Sequence, residues 1–228
     1  MQKLSQLFDL HGSDKGLRTG DCHNYGSVYG ALFEGLRPKK IRLLELGVFK
    51  GSSICAWLEY FPEGEIYGVD FRLEQQLGND VPLSNKRLHL FQGDVTDPLV
   101  VPDLEFNIII DDSNHTTDTQ VQTLLAHWPK LIDGGYYIIE DLFVGRLPWG
   151  GKASVRSKSF LWPYAGFSRS PRQRFFPKHP QDLFFLNRAH MSASVSKILD
   201  ENQYFFTISS VSSDGGLHMM LVIRRQSL

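Results

Sequence analysis

Two cysteines in 228 residues, Cys22 and Cys55, are too few for a disulfide framework, and neither stands at metal-ligand spacing. Cys55 falls within an apolar helical pattern and reads as core. No apolar run approaches the roughly 18 residues that a membrane span needs. The opening stretch, residues 1–16, lacks the apolar region and small-residue cleavage site of a secretory signal. Together these absences predict a reducing, cytoplasmic setting without a membrane. An excess of charge of either sign is also lacking: 24 Lys and Arg face 25 Asp and Glu, a net of −1, so the overall balance favours neither nucleic acid nor an anionic surface. Internal repeats and low-complexity tracts are missing too.

What is present suits one α/β domain spanning residues 1–228, with 42% hydrophobic and 21% charged residues. Short β-rich runs alternate with helical stretches, the pattern of a mostly parallel sheet covered on both faces. Strands are predicted at 41–46, 65–69, 87–91, 106–110 and 136–139. Helices are predicted at 52–60 and 117–131, the second from Val121, Leu124, Leu125 and Trp128 at helical spacing. A further helix is predicted over 183–199, followed by strands at 204–211 and 217–224 joined by a Ser/Asp/Gly turn. Each of the first five strands ends in acidic or glycine-rich residues, and in open α/β sheets ligands bind at that carboxyl edge.

Residues 143–180 break the pattern and read as an irregular insertion, a candidate lid. Between Phe143 and His190 nine Lys and Arg stand against Asp182 alone, interleaved with aromatics. A solvated loop or subunit contact, a lid over an anionic or glycosylated acceptor, and a nucleic-acid surface are ranked in that order. The aromatics also point to self-association as a homo-oligomer.

Glu45, Gly47, Gly51 and Ser52 form a strand end, a glycine turn and a helix start, where the backbone can approach a ligand closely. The turn departs from the G-x-G-x-x-G cradle of pyrophosphate-bridged cofactors, which counts against a nicotinamide enzyme. Asp70 ends the second predicted strand, where a carboxylate can accept from both ribose hydroxyls. Asp94, after the third, can reach an adenine amino group, and Asp111 ends the fourth. An adenosine without a bridging pyrophosphate fits this set, hence S-adenosylmethionine. Asp112 leaves the fourth strand, and Glu140 and Asp141 leave the fifth; if those strands are neighbours, three carboxylates converge. Hard oxygen ligands suit Mg²⁺, with Ca²⁺ or Mn²⁺ as alternatives, and a cation would hold the crowded carboxylates ionised. The plain alternative is that Asp112 caps the following helix.

The paired aspartates followed by His115, then a helix, then Gly134, Gly135, Tyr136, Tyr137, Ile138, Ile139, Glu140 and Asp141, resemble the metal-dependent sugar O-methyltransferases of the macrocin and mycinamicin type. Upstream, residues 12–16, 23–25 and 43–48 are similar to that group's leader and cofactor segments. The resemblance covers roughly residues 8–142. It implies a Rossmann-like class I methyltransferase fold, closed by a C-terminal antiparallel hairpin, acting on a hydroxyl of a sugar or glycosylated natural product. It also implies Asp112, Glu140 and Asp141 as metal ligands and His115 as general base. Ser113 and Asn114 depart mildly from the group's residues before the histidine. Rival readings are a cofactor-binding partner subunit without its own methyl transfer, and a methyltransferase for a different polyhydroxylated small molecule.

Overall fold

The computed structural model describes residues 2–18, 22–142, 193–211 and 217–227. The predicted insertion at 143–180 and the first part of the predicted helix at 183–199 lie outside them. In chain order the elements are α1 (Leu4–Leu10), α2 (Tyr25–Phe33), β1 (Arg42–Leu46), α3 (Ser52–Tyr60), β2 (Glu65–Asp70), α4 (Leu73–Gln76), β3 (Leu88–Gln92), β4 (Phe106–Asp111), α5 (Thr117–His127), β5 (Leu131–Ile139), α6 (Ala193–Glu201), β6 (Gln203–Val211) and β7 (Leu217–Arg224). Single 3₁₀ turns, Glu34–Leu36 and Trp128–Lys130, follow α2 and α5.

The strands form one seven-stranded sheet in the order β3-β2-β1-β4-β5-β7-β6. The first five run parallel, while β7 enters antiparallel between β5 and β6. This is the expected mostly parallel sheet closed by an antiparallel C-terminal hairpin. The chain order reverses beside β1, between β2 and β4, which opens the crevice where ligands enter such sheets.

The sheet buries both faces, so its strands are nearly continuous in apolar residues rather than alternating. Period-two geometry still divides them. Leu43, Ile108 and Ile138 pack with Phe8, Tyr29, Phe33 and Trp57 under α1, α2 and α3. Leu44, Ile109 and Ile139 pack with Leu124 and Ile198 under α5 and α6. The first layer is aromatic: Trp57 meets Phe8 edge-on at 4.9 Å and Tyr29 at 5.3 Å between ring centroids. Such pairs contribute about 0.5–1.5 kcal/mol each beyond their buried area.

Two differences from the expected elements have local causes. β5 begins at Leu131 rather than at 136, because an irregularity with Gly134 at φ +75° is held beside Arg225: Gly134 donates to the Arg225 carbonyl and Arg225 donates to that of Gly135. α5 ends at His127 because Pro129 follows in a 3₁₀ turn and cannot supply the next helical amide. Helices α1 and α2 carry no prediction above; they cover the β1–β4–β5 face and supply polar groups to the site.

Candidate active site

The register aligns the strand ends. Leu46 pairs with Asp111 and Asp111 with Ile139, so the residues immediately beyond, Gly47, Asp112 and Glu140, leave the sheet side by side. The Asp112 amide donates to the Leu46 carbonyl at 2.9 Å, and the Glu140 amide to the Asp111 carbonyl at 2.9 Å. Gly47 has φ +104°, and a Cβ there would fall 2.0 Å from the Asp112 carbonyl oxygen. Only glycine lets β1 leave the sheet this close to β4.

A cavity of about 960 Å³ opens along this edge. On one side it is walled by Gly47, Val48, Phe49, Ser52, Asp70 and Asp94; on the other by Lys15, Asp112, His115 and Asp141. Asp70 fixes the glycine turn: its Oδ2 accepts the amides of Val48 (3.0 Å) and Phe49 (2.8 Å), and its Oδ1 that of Arg72 (2.8 Å). Oδ2 is thereby filled, while Oδ1 keeps a further lone pair for a ribose hydroxyl. Asp94 Oδ1 accepts from the Thr96 amide and hydroxyl, and these bonds lower its pKa, so it faces the cavity ionised. Phe49 and Phe71 present exposed rings there, a feature with no signal in the strand pattern.

Four residues expected at the site do not reach the cavity wall: Glu45, Gly51, Asp111 and Glu140. Glu45 is completely buried, accepting from Ser53 Oγ at 2.8 Å and Trp57 Nε1 at 3.4 Å. Burial raises its pKa to about 7, against the opposing pull of Lys15. Asp111 turns to the opposite layer, where burial raises it to about 6 and Ser113 donates to it in partial compensation. Gly51, at φ +79°, caps α3 and packs on Val81. Glu140 is fully buried; Tyr29 donates to its Oε1, and the Lys15 ammonium donates to its Oε2 at 2.7 Å.

The remaining acidic residues do gather. Asp112, His115 and Asp141 bring ligand atoms within 4.8 Å of one another. His115 Nε2 lies 3.7 Å from Asp141 Oδ2, and Lys15 pairs with Asp112 Oδ2. Both His115 and Asp141 hold positive φ, 56° and 50°, which turns these two non-glycine side chains toward each other at a cost of about 1–3 kcal/mol each. Burial alone would raise Asp141. The nearby imidazole of His218, the charges of His23 and His115, and the Tyr25 hydroxyl outweigh it and hold the carboxyl below the usual range. Burial raises Asp112, with Lys15 and His115 opposing it.

Residues absent from the expected set complete the arrangement. Tyr25 donates to Asp141 Oδ1 at 2.6 Å. His23 Nδ1 stands 3.5 Å and His218 Nδ1 3.9 Å from the same oxygen, their rings stacked at 3.9 Å. Asp141, His23 and His218 form a second group whose ligand atoms lie within 4.8 Å. In the sequence the only hints were His23 and Tyr25 in the leader segment; nothing local marks His218.

Residues 44–142 match the family model described as a methyltransferase domain. Among curated proteins, the chain is 33% identical over 168 residues to the 8-demethyl-8-(2-methoxy-alpha-L-rhamnosyl)-tetracenomycin-C 3'-O-methyltransferase of Streptomyces olivaceus, covering 68% of this chain and 41% of that one. It is 29% identical over 169 residues to the mycinamicin VI 2''-O-methyltransferase of Micromonospora griseorubida, covering 68% and 40%. The chain thus spans about two fifths of the length of the curated relatives it matches. Among solved structures, MycE methyltransferase from the mycinamycin biosynthetic pathway, in complex with Mg, SAH and mycinamycin VI, aligns at a TM-score of 0.59 and 21% identity, over 99% of this chain and 55% of that one. A putative O-methyltransferase from Klebsiella pneumoniae aligns at 0.55 and 13%, over 99% and 90%. These similarities establish the Rossmann-like class I methyltransferase fold.

Proposed function

We propose that this chain, which carries a methyltransferase domain over residues 44–142, transfers the methyl group of S-adenosylmethionine to a hydroxyl of a sugar-bearing natural product with the help of a divalent metal, Mg²⁺ in the first instance. The observation that carries this reading is the division of one cavity into two chemistries. Gly47, Phe49, Asp70 and Asp94 suit an adenosine, while Asp112, His115 and Asp141 offer converging ligand atoms a few ångströms along the same edge. The similarity to tetracenomycin and mycinamicin sugar O-methyltransferases supports the acceptor class.

The sulfonium supplies an electrophilic methyl group, and a hydroxyl bound to a divalent ion is more acidic and better oriented than a free one. The chain's own residues do the rest. Asp70 holds the glycine turn open for the cofactor. Asp112 and Asp141 supply oxygen ligands that fit a hard cation. His115, on the cavity wall, takes the hydroxyl proton, and Asp141 beside its Nε2 stabilises the imidazolium that results. Glu140 enters as a buried group held by Lys15 and Tyr29, behind Asp112 and Asp141. No helix among the described residues is long and apolar enough to cross a membrane, and a cytoplasmic setting is part of this reading.

The test is transfer of labelled methyl from S-adenosylmethionine to glycosylated acceptors, with and without chelator. Transfer should need the metal and return on adding Mg²⁺. His115→Ala should still bind S-adenosylhomocysteine yet lose about 10²–10⁴ in rate. Undiminished transfer in excess chelator would remove the metal. Cofactor binding with no transfer to any sugar-bearing acceptor would favour a partner subunit.

A further inference from the structure

Among the described residues Lys15 is the cation nearest the carboxylates, and it comes from the loop between α1 and α2 rather than from the sheet. Its side chain is 2% exposed. The ammonium donates to Asp112 Oδ2 and, at 2.7 Å, to Glu140 Oε2, with Glu45 Oε1 at 4.0 Å. The three carboxylates come from the ends of three adjacent strands, β1, β4 and β5. An isolated charge in such an interior is costly unless paired on all sides. Burial would depress the Lys15 pKa, but Asp112, Glu140 and Glu45 more than reverse it and keep the amine protonated. The loop that delivers it is itself anchored: Gly26 donates to the Lys15 carbonyl at 2.8 Å and Asn24 to that of Gly16 at 3.2 Å.

Resting on the metal reading above, we propose that Lys15 is a positioning residue: a tethered cation that competes with a divalent ion for Asp112 and Glu140 and thereby sets how tightly that ion binds. The ammonium claims one oxygen of Asp112 and one of Glu140, leaving Asp112 Oδ1, His115 and Asp141 turned to the cavity. A divalent ion drawn to the same carboxylates meets a fixed positive charge beside it and is repelled by it. Full use of Glu140 by the ion requires the lysine to let go. The chain therefore keeps its carboxylates gathered without metal, at the expense of affinity for it.

The experiment is calorimetric titration of Mg²⁺ into the full chain, unmodified and as Lys15→Met, a substitution that keeps the aliphatic stem and deletes the charge. Lys15→Met should bind Mg²⁺ at least about tenfold more tightly and should melt lower than the unmodified chain in chelator, with most of that difference recovered on adding Mg²⁺. A purely structural lysine would lower the melting temperature without tightening the metal. Equal or weaker affinity in the variant overturns the proposal and leaves the metal reading standing; no heat in either protein overturns both. Should the variant fail to fold, the unmodified chain still decides. With ¹⁵N-lysine labelling, the slowly exchanging ammonium of Lys15 should shift and exchange faster as Mg²⁺ is added. A signal unchanged at saturating Mg²⁺ would refute the competition.

Discussion

Single residues at this edge are governed by which way a strand end points. Glu45, Asp111 and Glu140 end or follow strands as expected, but period-two geometry turns Glu45 and Glu140 into the aromatic layer and Asp111 into the opposite one. Their neighbours are apolar on both sides, so no alternation in the sequence betrayed that parity. Asp112 and Asp141 fall one residue further on and reach the cavity. For Glu45 the consequence is a pH dependence with a definite sign. Its folded pKa, about 7, exceeds the ordinary 4.5, chiefly because burial disfavours the charged form. The folded state thus binds more protons than the unfolded one between these values, and stability falls as pH rises through that window, by about 3 kcal/mol for this group. Glu45→Gln keeps the shape and an acceptor for Ser53 or Trp57. Its denaturant midpoint should decline less than that of the unmodified chain between pH 5 and 8. Parallel curves for the two proteins would show that Glu45 stays ionised throughout.

At the scale of elements, the glycine turn after β1 was the most legible part of the site, because its spacing and the strand before it are both local features. The structure adds why it cannot vary. Gly47 combines positive φ with a backbone approach to Asp112 that leaves no room for a methyl group. Gly47→Ala should lose at least about 2 kcal/mol of stability in equilibrium urea unfolding, from strain at positive φ and from pushing β1 away from β4. A loss under about 0.5 kcal/mol would mean the edge can open freely. The helices α1 and α2 were the least legible elements. The strand–helix alternation begins at residue 41, after both of them, and these helices are fixed by tertiary contacts: Phe8, Tyr29 and Phe33 meeting Trp57. Tyr25 and Tyr29, one helical turn apart on α2, each send a hydroxyl to a carboxylate that β5 delivers, Asp141 and Glu140. Partners 116 and 111 residues away leave no local trace of that pairing.

Over the whole molecule, the parallel order was legible because strand–helix alternation admits few topologies, and the closing hairpin because two β-rich runs flank a glycine turn. What a linear reading could not supply is how the two halves of the cavity relate. The side proposed for adenosine is built by β1, β2 and β3, whose anchoring bonds run among Val48, Phe49, Asp70 and Arg72. The acidic side is built by β4, β5 and the leader loop, and its contacts run through Lys15, Tyr25 and the histidines. The two networks share few bonds, so filling one should couple weakly to filling the other. S-adenosylhomocysteine should then bind the chelator-treated chain within about threefold of its affinity in Mg²⁺, a coupling near 0.6 kcal/mol. Calorimetry with and without chelator measures this directly. A tenfold or larger loss would mean that the cation also organises the glycine turn, through the β1–β4 ladder the halves share, at whose end the Asp112 amide meets the Leu46 carbonyl beside Gly47.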